Sequence, residues 1–262
     1  MDEQQMKQKV KEVFGKNAEK YVTSESHAKG SDLPLLVEWI KPAPDWVMLD
    51  IATGGGHVSK TLAPYVGTVF STDLTEEMLS NTAKHLNEEF KNIWYVVADA
   101  EKLPFLEGTF DLVTCRIAPH HFPNPDQFIE EVGRVLKQGG KFLLIDNVAP
   151  EDEALDEFMN MVEKLRDESH VRALSISQWK ELMTNVGLQE TKSINRKKTF
   201  QFPSWVARTA GSQEQMERVE QYILDSSKEI QSYFSVKINQ DNRVESHQID
   251  EWMALYEKKA ND

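Results

Sequence analysis

The chain has 262 residues, 40% of them hydrophobic and 28% charged, enough for one α/β domain with additions and ordinary for a globular protein. Its 30 Lys and Arg stand against 43 Asp and Glu, a formal charge of −13 that repels phosphate backbones and anionic lipid. Nucleic acid and membrane surfaces are therefore poor partners, and a small neutral or cationic ligand suits the balance better.

The first forty residues read as helix, with Val10, Val13 and Phe14 at helical spacing and then Leu33, Leu35, Leu36, Val37 and Ile40. The stretch from Thr23 to Gly30 between them is polar and loop-like. From residue 46 onward short apolar runs alternate with amphipathic helices. The runs Trp46–Ile51, Val66–Thr72, Ile93–Ala98, Phe110–Cys115 and Lys141–Ile145 predict strands. Helices are predicted near His57–Ala63, Glu76–Asn87 and Asp126–Leu136, with Thr75 capping the second and Asn124-Pro125 opening the third. Gly139–Gly140 are expected to stop that third helix. Repeated strand–helix–strand order implies a parallel sheet with helices on both faces.

After residue 150, Leu155, Phe158, Met159, Val162 and Leu165 form a helical stripe, and Ser175 with Gln178 matches a capping box. Ile194–Phe202 reads as a strand, Trp205 to Ile230 as helix, and Tyr233–Ile238 and Trp252–Glu257 as the last strands about a turn at Asn239–Asn242. The basic stretch Lys192–Lys198 reads as a solvated strand face. The expectation is a single domain: a helical cover over 1–44, a core over 45–148, and substrate-side helices with the last strands over 149–262.

One cysteine, Cys115, precludes an intramolecular disulfide and fits a reducing cytosol; its place in a strand predicts a buried, inert thiol. The start, MDEQQMKQKV, lacks the apolar core of a signal peptide, and no apolar run approaches the about 20 residues of a membrane helix. A soluble cytoplasmic protein is expected. Monomer and homodimer both stay open.

Three features carry chemistry. In Val47-Met-Leu-Asp-Ile-Ala-Thr-Gly-Gly-Gly-His57 a buried strand runs into three glycines and then a helix. Glycine lets the backbone turn sharply and lets a ligand approach, and in open α/β sheets ligands bind outside the carboxyl ends of the strands. Asp73 ends the second strand, where a carboxylate accepts from ribose hydroxyls; it also suits the start of the next helix. Asp99 ends the third strand, where it could accept from an adenine amino group with the Ala100 N–H reaching a ring nitrogen. The first turn lacks the third glycine of G-x-G-x-x-G, which disfavours a nicotinamide-dependent oxidoreductase.

The segments Leu49–His57, Ala98–Phe105, Phe110–Arg116, Ala118–Phe122 and Arg134–Gly140 resemble the class I S-adenosylmethionine-dependent methyltransferases. Within that group the chain is most similar to the ubiquinone/menaquinone C-methyltransferases and the bacterial YcgJ-type proteins, with Leu165–Arg172 more particular to the latter. The resemblance implies a Rossmann-like fold with a seven-stranded, mostly parallel sheet whose last strand is antiparallel. It implies S-adenosylmethionine as cofactor, with Asp50 and Gly54–Gly56 at the methionine end, Asp73 at the ribose and Asp99 at the adenine. Leu74, Met78, Ala100 and Arg116 join these cofactor residues. Thr53 departs from the commoner Gly-x-Gly-x-Gly pattern, while Gly54 and Gly56 match it.

Methyl transfer from a sulfonium is an in-line displacement in which the protein aligns the acceptor, and a base is needed only where the acceptor must lose a proton. His120 and His121 are the candidates to orient the acceptor or take that proton; paired histidines serve equally to fasten a loop. Tyr21, His27, Asp146, His170 and Arg172 are candidate substrate residues. Phe14 reads as ordinary helix packing. Asp146-Asn147 is similar to the metal-holding pair of catechol O-methyltransferase-like enzymes, yet the fourth-strand loop offers histidines where a hard cation prefers a carboxylate, so no metal is expected. Kinship with the quinone enzymes points to a small aromatic or isoprenoid acceptor, by analogy. A protein that binds S-adenosylmethionine without turnover is the alternative.

Overall fold

The computed structural model describes residues 2–22 and 32–259, the side chains of 16–22 apart. The predicted loop from Thr23 to Gly30 therefore lies outside the described residues. Among the described residues eight strands form one sheet: β1 (Val47–Ile51), β2 (Thr68–Asp73), β3 (Ile93–Val97), β4 (Phe110–Arg116), β5 (Leu136–Asn147), β6 (Leu188–Gln201), β7 (Lys237–Ile238) and β8 (Val244–Lys258). The order is β3-β2-β1-β4-β5-β8-β6, with the two-residue β7 paired to β8. Strands β1 to β5 pair in parallel, and β8 runs antiparallel between β5 and β6. The seven-stranded core with an antiparallel last strand is as the resemblance implies.

The sequence explains the layering. Along β1 successive side chains point to opposite faces. Met48 packs toward α2 (Leu33–Ile40) and α3 (His57–Leu62). Leu49 and Ile51 pack toward α5 (Pro125–Val135) and α7 (Ile176–Asn185). A third cluster joins α6 (Glu153–Arg166), α8 (Phe202–Val206) and α9 (Gln213–Leu224) against β8. Helices α1 (Glu3–Val22), α4 (Glu76–Leu86) and α10 (Lys228–Tyr233) complete the layers. No helix among the described residues is long and apolar enough to cross a membrane.

Several expectations are corrected. Helix α5 ends at Val135, before the two glycines, because Leu136 already pairs with Phe110. Gly139, at φ 70°, turns the chain inside the β5 run instead. The single helix expected from Trp205 to Ile230 is three, since Ser212 and Ser227 each cap a new start by accepting a backbone N–H. Tyr233 ends α10 rather than opening a strand. Strands β6 and β8 are longer than their apolar runs because they pair with one another from Leu188↔Lys258 to Gln201↔Ser246. Thr75 stands at the start of α4 without a side-chain capping bond. The Ser175–Gln178 capping box is present. The basic stretch is not merely solvated: Arg196 and Lys198 bond Glu251, and Lys197 bonds Asp250.

Candidate active site

The chain leaves β1 toward β2 and β3 on one side and toward β4 and β5 on the other, so β1 and β4 flank the reversal of strand order. Ligands bind outside the carboxyl ends of strands at such a point. A cleft of about 1060 Å³, counting its open mouth, lies there. Of the predicted cofactor residues, Asp50, Thr53, Gly54, Asp73, Leu74, Met78, Asp99, Ala100 and Arg116 all line it. Gly56 stands behind the loop: at φ 76° it opens α3, and a Cβ there would meet Thr82 Cγ2 at 2.5 Å.

Asp50 is buried, and its carboxylate accepts from Thr53 Oγ1 at 2.6 Å, Ser59 Oγ at 2.7 Å and Thr114 Oγ1 at 2.8 Å. Burial pushes its pKa up against those bonds. Asp50 thus braces the glycine turn, and Thr53 supplies a hydroxyl that glycine in the commoner pattern could not. Asp73 accepts from Gly54 N at 3.1 Å and Thr75 N at 2.9 Å, one on each oxygen. Burial raises its pKa also.

The cleft fits an adenosyl group. A carboxylate offers about four lone-pair sites. Two of those on Asp73 are spent, and two remain for hydroxyls. A Cβ built on Gly54 would meet only Ala52 O, at 4.0 Å, so the glycine leaves open space for a ligand. Leu74, Met78 and Ala100 supply apolar walls.

Two of the predicted cofactor residues have unforeseen partners. Asp99 Oδ2 accepts from Lys7 Nζ at 2.7 Å, and the same ammonium reaches Glu101 at 2.6 Å and Glu3 at 2.7 Å. Burial pulls the Lys7 pKa down, and its bonds to these carboxylates outweigh that and raise it. Arg116 spends Nε and one terminal nitrogen on Asp32, at 2.5 and 3.1 Å, so it ties α2 to the cleft floor.

A second cleft shares Phe14, Ile117 and His121 with the first, and His120, Asn147, Trp205 and residues of β6 line it further. His120 Nδ1 lies 2.7 Å from Asp146 Oδ1, and His120 N donates to Asp146 Oδ2 at 3.1 Å. Burial lowers the His120 pKa, but the Asp146 charge and bond outweigh it and leave it raised. His121 Nδ1 sits 3.0 Å from Ser169 O, and its ring meets Phe14 edge-on at 5.0 Å. Burial, then the neighbouring His120, holds its pKa down to about 3.

The remaining substrate candidates divide. Asp146 faces His120 rather than the open cleft. His170 is buried with Nε2 on Asn160 Oδ1 at 2.9 Å, and it lines neither cleft. Arg172 turns its side chain to Asp156 at 2.6 Å, while its N–H holds the His120 carbonyl at 3.0 Å. The Tyr21 side chain and His27 lie outside the described residues. Phe14 is corrected: it lines both clefts. Lys7, Glu101 and Ile117 were missed. A lysine in a polar helix carries no signal of its target, and nothing local marks Ile117 for its φ of 53°.

The comparisons agree with this geometry. A methyltransferase domain family model matches residues 49–144. The methyltransferase YcgJ of Bacillus subtilis is 35% identical over 88% of this chain and 91% of its own length. The YcgJ crystal structure superposes with a TM-score of 0.83 over 88% of this chain and 99% of that one. A protein from Bacillus halodurans assigned to the methyltransferases is 38% identical, with a TM-score of 0.85 over 88% of this chain and 100% of its own. The ubiquinone/menaquinone C-methyltransferase UbiE of Brucella suis is 29% identical over 66% of each chain. With that similarity and this cofactor cleft, the chain belongs to the class I S-adenosylmethionine-dependent methyltransferases, among the relatives of YcgJ.

Proposed function

We propose that the enzyme methylates a small molecule bound in the second cleft, with His120 taking the proton that the acceptor loses. The observation that carries this is the Asp146–His120 pair. Asp146 accepts from both the His120 ring and its backbone N–H, which fixes the ring's orientation and places the proton on Nδ1. Nε2 is then the basic nitrogen of a ring that lines the acceptor cleft. The positive charge that develops on His120 is balanced by Asp146 beside it. His121 is the weaker base. Held neutral down to about 3, it cannot keep a proton at neutral pH, and it serves as the wall between the clefts.

Bound S-adenosylmethionine supplies a methyl group already activated on sulfur. Asp73 would hold the ribose, Leu74, Met78 and Ala100 the adenosine, and the Gly54 turn the methionine end, with Asp50 and Thr53 bracing that turn from beneath. Phe14 and Ile117 exclude water where the clefts meet. The likeness to UbiE supports an acceptor with an aromatic ring, whose hydroxyl or activated carbon carries the proton that His120 takes.

The test is His120→Ala, assayed by transfer of labelled methyl groups from S-adenosylmethionine to a panel of small phenols and quinols. A fall in kcat of about 10²–10⁴-fold with S-adenosylhomocysteine affinity unchanged is expected. Unchanged turnover with a lowered Tm would make His120 a fastener of its loop.

A further inference from the structure

We propose that α1 couples the two clefts and that Lys7 is the positioning residue that seats it. The Lys7 ammonium clamps the helix to the adenine end of the cofactor cleft, and the seated helix holds Phe14 against His121 and Lys9 against the loop behind His120. This rests on the methyl-transfer reading above.

Lys7, Val10 and Phe14 stand at helical spacing on one stripe of α1, and all three line the cofactor cleft. Phe14 also lines the second cleft. An ammonium carries three N–H donors. Glu3, Asp99 and Glu101 lie 2.7, 2.7 and 2.6 Å from the Lys7 Nζ and take all three, so Lys7 fastens the helix rather than binding a ligand. Glu3 belongs to α1 itself, whereas Asp99 and Glu101 belong to the core. Glu101 is buried and anchored, accepting from Asn124 N at 2.6 Å and Asn124 Nδ2 at 3.1 Å. A buried carboxylate that loses its cation is left uncompensated, which makes this pair harder to break than an exposed one. The rest of α1 is rich in Gln, Lys and Glu, so its apolar stripe alone seats it weakly.

The cofactor end is joined to α1 through Asp99. Its Oδ2 accepts from Lys7, and its Oδ1 accepts from Glu101 N at 3.0 Å. A carboxylate has about four lone-pair sites, so the adenine amino group proposed for Asp99 finds room beside Lys7 without displacing it. A nucleoside in that cleft lies against Val10, so an occupied cleft and a seated α1 favour one another. The acceptor end lies about 10 Å further along the helix, seven residues from Lys7 to Phe14. There the Phe14 ring meets His121 edge-on at 5.0 Å. Lys9 pairs with Glu168, in the loop whose Val171 and Arg172 N–H groups hold the His120 carbonyl at 2.9 and 3.0 Å. A helix fixed at Asp99 and Glu101 therefore fixes the wall beside the proposed base as well. The cofactor binds first, and the acceptor then meets a completed cleft.

The test uses the full-length protein with Lys7→Met and Lys7→Arg. Release of tritiated S-adenosylhomocysteine is followed after a chase with excess unlabelled ligand. Lys7→Met should release it on the order of tenfold faster, with little change in Tm, and Lys7→Arg, which keeps the charge, should stay close to the wild type. Hydrogen exchange read by mass spectrometry gives the coupling. S-adenosylhomocysteine should slow exchange over residues 165–172 in the wild type and in Lys7→Arg, but not in Lys7→Met. Equal release from the wild type and Lys7→Met, or slowing over 165–172 that survives in Lys7→Met, would overturn the inference. A wild type that does not bind S-adenosylhomocysteine would instead refute the methyl-transfer reading. The clamp is then still read from the ligand-free proteins, where α1 should exchange faster in Lys7→Met, and equal exchange there would sink it.

Discussion

His247 gives the sharpest thermodynamic prediction. It lies on β8 with its ring 4.4 Å from Trp205 and 5.8 Å from Phe200, and it is only 4% exposed. Neither ring nitrogen has a partner among the described residues. Burial, and then the charge of Arg166, holds its pKa down to about 3 against an ordinary 6.5. The folded protein keeps the ring neutral while the unfolded chain takes a proton below about 6.5. The folded value is the lower one, so this stability is complete above about pH 6.5 and is lost as pH falls toward 3. The loss is about 2 kcal/mol by pH 5 and at most about 5 kcal/mol near pH 3. His247→Phe keeps a ring of similar size against Trp205 and removes two buried nitrogens without partners. At pH 7 it should be neutral or stabilising by about 1 kcal/mol. Urea unfolding followed by tryptophan fluorescence, at pH 7 and pH 5, measures both proteins. His121 and His170 are buried and held neutral in each, so they drop out of the difference. The wild type should lose about 2 kcal/mol more than the variant between the two pH values. An equal loss in both would refute the reasoning.

Three further outcomes are expected. Asp146→Asn removes the charge that outweighs burial at His120, so the acidic limb of kcat/KM should move to lower pH while kcat falls by about 10²-fold or more. Asp73→Ala should weaken S-adenosylhomocysteine by about ten- to a hundredfold in a calorimetric titration, because the proposed acceptor for the ribose hydroxyls is removed and the Gly54 and Thr75 N–H groups that it holds are released. Gly56→Ala forces a side chain onto φ 76° and within 2.5 Å of Thr82, and chemical denaturation should show a loss of about 1–3 kcal/mol.

The cofactor half was legible because short-range physics sets it. A buried strand entering Gly54–Gly56, and acids at the ends of the next two strands, mark a nucleoside cleft before any fold is known. The acceptor half was not, because its walls come from segments far apart in sequence. Phe14 meets His121 across 107 residues, and Lys198 reaches Glu251 across 53. Helical periodicity at Phe14 states only that one face is apolar, and nothing local says what it faces. The net charge is equally uninformative about one cleft: −13 describes the whole surface, whereas the second cleft is lined by Arg166, Lys198 and Arg208 beside Asp167. His170 and Arg172 belong to the loop that holds the His120 carbonyl, but neither side chain lines a cleft. The Arg172 N–H and the Val171 N–H both grip the His120 carbonyl.

Ile117 joins the two halves. It is β-branched yet sits at φ 53°, a conformation that such residues rarely adopt and that stores about 1–3 kcal/mol. Its N–H donates to Ile145 O at 2.7 Å, which continues the β4–β5 pairing up to the bend. The left-handed residue then throws the chain across the end of β5, where Asp146 receives His120 through both ring and backbone. A straighter exit would carry His120 away from Asp146 and out of the second cleft. The strained side chain itself lines both clefts, at the wall they share. The same bend therefore sets both the direction of the proposed base and the wall between the clefts.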